Sequence, residues 1–461
     1  MRVAPFSEIN ELFRRKLDDP SVYTTDQYSF LKVFQHALSY SLNDVGSKII
    51  KNYLHLPERL IHLIYKLKAL KNKDRQAPKL KSTLIIEGGR HVLNEHGEAI
   101  SSYFHKIKAA LAQEDVSTVL VSPLSLLPGI ELSQQDLESV RNLPLSGKSK
   151  AMLHEVKTVF KKSKTSQNFS PEELLQIQSQ LHIFFESFRL FDNFLSASKI
   201  KNCLFENHYH REGMIAALKA HGARSIEIQH GLIARNDLYY VYDDYAKSTA
   251  SIAFFPDVLL TYGSYWKNVV LAGHEHTIDS VQVVGDYTSF AWPDLKEGKR
   301  DKILLITAQK NMADDYVNYI LNLASKVQKQ HADWQITVKL HPKEPQKDKY
   351  TSAFDSHPTV SLIGNETGLH DALSKAQIHL SIYSTTLYDA IGHNLLNLSL
   401  QAYSSSADYA ADIIKDKVAY PLLFDDDPIA LLAKDWDYDL VNRSELYADF
   451  DVNKFLGLLK R

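Results

Sequence analysis

The chain carries one cysteine in 461 residues, Cys203, and a single thiol excludes an internal disulfide. It fits a reducing compartment, and its setting in Asn202-Cys203-Leu204-Phe205 reads as a buried strand position. No run approaches the roughly 20 consecutive apolar residues that a spanning helix needs. The opening residues, Met1-Arg2-Val3-Ala4-Pro5-Phe6-Ser7, lack the apolar centre of a signal peptide. The expectation is a cytoplasmic protein, at most peripheral at the inner face of the cell membrane. Net charge is also scarce: 53 Lys and Arg against 55 Asp and Glu leave −2, so no general attraction to nucleic acid is expected. There is no G-x-x-x-x-G-K-[ST] loop and no G-x-S-x-G elbow, which counts against the NTPases and hydrolases built on them. Internal repeats and low-complexity tracts are absent as well.

What is there is ordinary globular material, with 44% hydrophobic and 23% charged residues. The length exceeds one ordinary core, so two domains are expected. Residues 1–80 read as a helical N-terminal extension, with Leu60, Ile61, Leu63, Ile64, Leu67 and Leu70 at helical spacing. A basic run follows: Lys66, Lys68, Lys71, Lys73, Arg75, Lys79 and Lys81. A solvated helix end and linker is the favoured reading. Peripheral membrane contact of segment 66–81 with anionic lipid is the second.

From about residue 82 the pattern becomes strand–helix–strand, which argues for parallel βα units. Residues 81–290 form one α/β block. The stretch Trp292 to Arg300 reads as a linker, and the alternation restarts over 300–442. A further helix is expected over 443–461. Two such blocks suggest a cleft between them, where ligands commonly sit.

Chemistry-bearing residues fall at predicted strand ends, the edge at which open α/β sheets bind ligands. Lys339-Leu340-His341-Pro342-Lys343 ends one strand, with proline fixing the turn and His341 flanked by lysines. Ile382-Tyr383-Ser384-Thr385-Thr386 ends another and opens a helix whose first turn or so holds Asp389. Three hydroxyls exceed what an N-cap needs, and a helix start attracts phosphate. Gln229-His230-Gly231 ends a third, with His230 a candidate general base. Each of these also has a plain structural reading: a proline turn, a cap, a satisfied histidine. Glu87-Gly88-Gly89 and Glu206-Asn207-His208-Tyr209-His210 place carboxylates on neighbouring strand ends, where either glutamate could serve as base. The His208/His210 pair has no obvious third ligand, so no metal is expected.

Taken in order, Gln229-His230-Gly231, Lys339-Leu340-His341-Pro342 and Ser384-Thr385-Thr386-Leu387-Tyr388-Asp389-Ala390 resemble motifs of bacterial surface-polysaccharide glycosyltransferases with the GT-B fold. The likeness covers about residues 200–400. It is to the His-Pro and Ser-Ser/Thr motifs of sialyltransferases and Kdo-type capsule enzymes, and to the CDP-glycerol glycerophosphotransferases. The resemblance implies two Rossmann-like domains facing a cleft, with the donor nucleotide held by the C-terminal one. Lys339, His341, Pro342, Ser384, Thr385, Thr386 and Asp389 would serve that donor, a CMP-sugar being favoured. His230, Glu87 or Glu206 would deprotonate a hydroxyl of a surface polysaccharide or lipid-linked glycan. No cofactor or metal is implied. Competing expectations are CDP-glycerol-type glycerophosphate transfer, sugar-nucleotide epimerisation, and a non-catalytic subunit of polysaccharide assembly.

Overall fold

The computed structural model describes residues 83–86, 91–93, 99–113, 118–121, scattered helical positions between 154 and 196, and most of 199–460. The breaks in that last stretch are 209–210, 236–239, 241–254, 273–279, 289–299, 311, 343, 356, 365, 402–410 and 438. The helical N-terminal extension, the basic segment 66–81, Glu87 and the linker from Trp292 to Lys299 lie outside the described residues. Among the described residues, no helix is long and apolar enough to cross a membrane.

The chain divides into two compact units, Met1–Ser289 with Tyr447–Arg461, and Phe290–Leu446. The first contains β1 (Thr83–Ile86), a hairpin of β2 (His91–Leu93) and β3 (Ala99–Ser101), then α1 (His105–Gln113), β4 (Thr118–Val121) and β5 (Asn202–Glu206). It continues with α2 (Glu212–Ala220), β6 (Arg224–Ile228), β7 (Val258–Thr261), α3 (Ser264–Leu271) and β8 (Val281–Val283). Its six-stranded sheet runs β4-β1-β5-β6-β7-β8, parallel throughout. β1, β5 and β7 are buried at every position, as expected of strands covered on both faces. Cys203 is fully buried in β5, where burial pushes its thiol far above the ordinary range.

The second unit contains β9 (Ile303–Thr307), α4 (Ala313–Gln330), β10 (Gln335–Lys339), α5 (Lys347–Phe354), β11 (Val360–Ile363), α6 (Leu369–Lys375) and β12 (Ile378–Ser381). Then follow the five-residue α7 (Thr386–Ala390), a 3-10 turn (Ile391–His393), β13 (Leu396–Leu400), α8 (Ala411–Lys415), β14 (Tyr420–Leu422) and α9 (Arg443–Leu446). Its sheet runs β11-β10-β9-β12-β13-β14, again all parallel. In order of appearance that is 3-2-1-4-5-6, the Rossmann order. α4 shows why the layers hold: Tyr316, Tyr319, Ile320, Leu323, Ala324 and Val327 recur at helical spacing and are all buried. They pack on Leu304, Ile306, Ile336, Val338 and Leu380 of the sheet. The two-unit, Rossmann-like α/β architecture expected from the alternation is therefore present.

The chain's last helix, α10 (Val452–Lys460), belongs to the first unit. Asn202 donates from its side-chain amide to the Leu459 carbonyl at 3.1 Å, and Arg224 donates to the carbonyl of Leu458. The lead-in hugs the end of β8: Asp286 N–H bonds the Ala448 carbonyl at 2.7 Å and Asp451 N–H the Val284 carbonyl at 2.8 Å. Gly285 sits there with φ +90°, and a Cβ on it would fall 2.0 Å from the Asp449 carbonyl oxygen, so only glycine fits.

Among the described strands each sheet has one topological switch point, between β1 and β5 in the first and between β9 and β12 in the second. The crevice outside the strand ends at such a point is where open α/β sheets receive ligands.

Candidate functional site

In the second unit the switch point is flanked by the turn after β9 (Ala308, Gln309, Lys310) and the turn after β12 (Ile382 to Thr385). Beneath it runs a chain of buried polar groups. Asn397 gives its two amide hydrogens to the carbonyls of Leu387 (2.7 Å) and Val418 (2.9 Å). Its oxygen must then accept from Nδ1–H of His379, at 2.7 Å. That leaves a lone pair on His379 Nε2 for the Thr307 hydroxyl at 2.9 Å, and Thr307 in turn accepts from the Thr386 hydroxyl at 2.6 Å. Burial drives the His379 pKa down to about 4, although Asn397 opposes the shift, so the ring is neutral as this circuit requires.

A second set of bonds stitches the same edge. Ser381 donates to the Thr307 carbonyl at 2.8 Å, and Ser399 to that of Ile382 at 2.8 Å. The Tyr316 hydroxyl bonds the Thr307 carbonyl at 3.2 Å and accepts from Ile382 N–H at 3.3 Å.

The hydroxyl turn thus has an inner and an outer side. Thr386 points into the buried circuit, Ser384 accepts the Thr386 N–H at 3.3 Å, and Thr385 is exposed. Asp389 is half-buried within the short α7. His341 and Pro342 are exposed at the end of β10, one strand from β9 on the side away from β12. β10 and β12 are therefore two strand spacings apart, about 10 Å. Lys339 serves the fold: its ammonium bonds the carbonyls of Gly364 (2.9 Å) and Thr367 (2.6 Å), fastening the β11–α6 turn. Burial lowers its pKa, against the opposing charges of Glu366 and Asp371.

In the first unit the strand ends carry charge. Glu227 lies in the middle of the buried stretch of β6 and accepts three hydrogen bonds. His208 gives it a ring Nδ1 contact at 2.7 Å and a backbone N–H at 3.2 Å, and the Tyr240 hydroxyl donates at 2.8 Å. Burial pushes the Glu227 carboxyl up, but His208, Tyr240 and the more distant His230 outweigh it and hold it below the ordinary range. The His208 ring also meets Tyr240 and Phe255 edge-on, at 5.1 and 5.4 Å. Glu206 is buried at the end of β5, followed by Asn207 with φ 58°.

His230 follows β6 on a turn whose successive carbonyls are each taken. Tyr287 donates to the carbonyl of Gln229 at 2.8 Å and Tyr103 to that of His230 at 2.7 Å. The Gln229 side-chain amide donates to Gly231 at 2.8 Å, while its oxygen accepts the Tyr262 N–H at 3.1 Å. His230 as a residue is half-buried, with its Nδ1 shielded from solvent.

The sequence reading missed Glu227, Thr307, His379 and Asn397. Each is a polar side chain inside a short apolar strand, and that was the available signal. Among the described residues, no group of three or more His, Cys, Asp or Glu could hold a metal ion.

No protein-family model matches the chain, and no curated protein matches it by sequence. Solved structures share its layout distantly. One is a UDP-GlcNAc 2-epimerase from Methanocaldococcus jannaschii, 12% identical, aligned over 82% of this chain and 99% of that one, with a TM-score of 0.48. Another is the Neisseria meningitidis UDP-GlcNAc 2-epimerase bound to UDP-GlcNAc, 14% identical over 82% and 100%, with a TM-score of 0.47. The pneumococcal O-GlcNAc transferase GtfA, in complex with UDP and GlcNAc, aligns at 11% identity over 59% of each chain, with a TM-score of 0.37. Likeness at this distance transfers no residue role to the present chain.

Proposed function

We propose that this chain is an enzyme acting on a nucleotide-activated sugar, with the nucleotide at the switch point of the second sheet. The observation that carries the reading is the Rossmann-ordered sheet whose switch point is lined by a hydroxyl turn. The buried circuit fixes Thr386 from below, which leaves Thr385 and the backbone of the turn for phosphate oxygens. His341 would add an imidazole from β10. The first unit supplies acid–base chemistry, with His230 the leading group and Glu206 beside the neighbouring strand end. The Glu227 carboxylate lies three residues before His230, in β6.

Two reactions fit. Glycosyl transfer follows from the motif resemblance and needs an acceptor hydroxyl. Epimerisation is what the two epimerases named above carry out on UDP-GlcNAc, and it needs no acceptor. The motif resemblance favours CMP for transfer, whereas UDP is compatible with either reaction.

Thermal shift with UDP, CMP and GDP tests the binding reading, since a ligand of the native state raises the melting midpoint. Incubation with the sugar nucleotide that binds then separates the reactions: a changed sugar without acceptor means epimerisation, and turnover only once an acceptor hydroxyl is supplied means transfer. His341→Ala is expected to weaken nucleotide binding while moving stability by less than about 0.5 kcal/mol, because the side chain is exposed. Absence of any nucleotide-induced shift in the wild-type protein would reject the proposal.

A further inference from the structure

A turn that leaves a sheet ordinarily gives its carbonyls to water. The turn Gln229-His230-Gly231 does not. Three successive carbonyls accept from side chains at 2.7–2.8 Å, and two of those donors are phenols from distant parts of the chain. Tyr103 comes from the turn between β3 and α1, 127 residues away from His230. Tyr287 comes from just after β8 and shares its hydroxyl with the Leu260 carbonyl at 3.2 Å.

The donors are themselves held. Tyr287 is fully buried, with its ring against Tyr262 at 5.0 Å and Phe450 at 6.2 Å. On either side of it, Asp286 takes the backbone N–H and hydroxyl of Thr288 at 2.9 and 2.6 Å, and gives its own N–H to Ala448. Lys106 of α1 reaches the Asp286 carbonyl at 3.2 Å, tying the Tyr103 side of the clamp to the Tyr287 side.

We propose that Tyr103 and Tyr287 are positioning residues for His230. They clamp the peptide on both sides of its Cα, so that only χ1 and χ2 remain to aim the imidazole at the substrate. A base fixed this way spends little entropy on reaching its attack geometry, and a displacement of about 1 Å can cost about 100-fold in rate. Neither tyrosine touches the substrate. The proposal rests on the reading of His230 as the acid–base group.

The test uses full-length protein with 13C-labelled histidine. The His230 ring Cε1–H signal is assigned by its loss in His230→Gln. Tyr103→Phe and Tyr287→Phe each delete one hydroxyl and keep the ring. The wild type is expected to give one sharp His230 signal, and the double variant a broadened or split one. If UDP-GlcNAc is turned over, each single variant is expected to lower kcat about tenfold with KM unchanged. Asp192→Asn serves as a structural control: Asp192 bonds His221 at 2.9 Å where the chain enters β6, at the opposite end of the strand from His230. It should leave the His230 signal alone. An unchanged His230 signal in the double variant overturns the clamp. So does a fall in kcat that comes with an equal rise in KM and a lower melting midpoint. Failure of every nucleotide to bind would instead reject the functional reading, while the ring signal still decides the clamp.

Discussion

The two sheets have the same parallel architecture and opposite chemistry at their strand ends. In the first unit a buried histidine, His208, rests on a carboxylate, Glu227, three residues before the half-buried His230. In the second a buried histidine, His379, rests on an amide and a hydroxyl, and every member of its circuit is neutral. Burying a carboxylate is expensive unless it is paired and hydrogen-bonded, and Glu227 meets both conditions. The neutral circuit beneath the second edge avoids that cost.

Removing a charged partner should show the contrast most strongly. Glu227→Ala leaves His208 and Tyr240 without their shared acceptor inside the first sheet, and should cost about 3–5 kcal/mol in urea unfolding. A loss below about 1 kcal/mol would mean the pair is not the buried anchor described.

Acid should separate the units. His379 has a folded pKa of about 4 against an ordinary 6.5, so the unfolded chain takes up the proton first. Its contribution is complete above pH 6.5 and shrinks as the pH falls toward 4, by about 3 kcal/mol in all. His393, pushed to about 3 chiefly by burial and by His370, acts in the same direction. Glu227 lies below its ordinary 4.5, so its contribution is present above that value and is lost only as the pH falls below it. Hydrogen-exchange protection, measured relative to the intrinsic rate at each pH, should therefore fall between pH 6.5 and 4.5 in β9 and β12 before β5 and β6. The reverse order would contradict the assigned charge states.

The smallest expected effect sharpens the neutral side. Asn397→Leu keeps the approximate volume but orphans His379 Nδ1–H and the carbonyls of Leu387 and Val418, at a cost of about 1–3 kcal/mol. Nucleotide affinity should fall with it, because Thr386 loses its support. Intact affinity would show that the turn holds its shape alone.

Much of the fold is readable in the sequence. Thr83–Ile86, Asn202–Glu206, Ile303–Thr307 and Ile378–Ser381 are short apolar runs bounded by polar turns, and each is a strand. The α4 stripe has a clean helical period. The hairpin β2–β3 and the edge strand β14 were missed; each strand has three residues, and unlike the equally short Val281–Val283 neither hairpin strand lies in a longer apolar run. At the sites, His230 and the Ser384–Thr386 turn were visible because they stand at strand ends. Their supports were not: Tyr103 and Tyr287 are unremarkable where they occur, and although Thr307 and Asn397 stand out as polar residues in apolar strands, nothing local says what they support.

Local pattern by itself determined the βα alternation, the two-unit architecture and which turns lie at the ligand edges of the sheets. Those depend on period and on turn chemistry, which act over a few residues. Only the tertiary structure decided that Glu227 is an ionised partner of His208, that His379 is neutral, and that the last helix returns to the first unit. A buried group's charge state and a segment's final partner depend on what the whole chain brings against them, and neighbours in sequence do not carry that information.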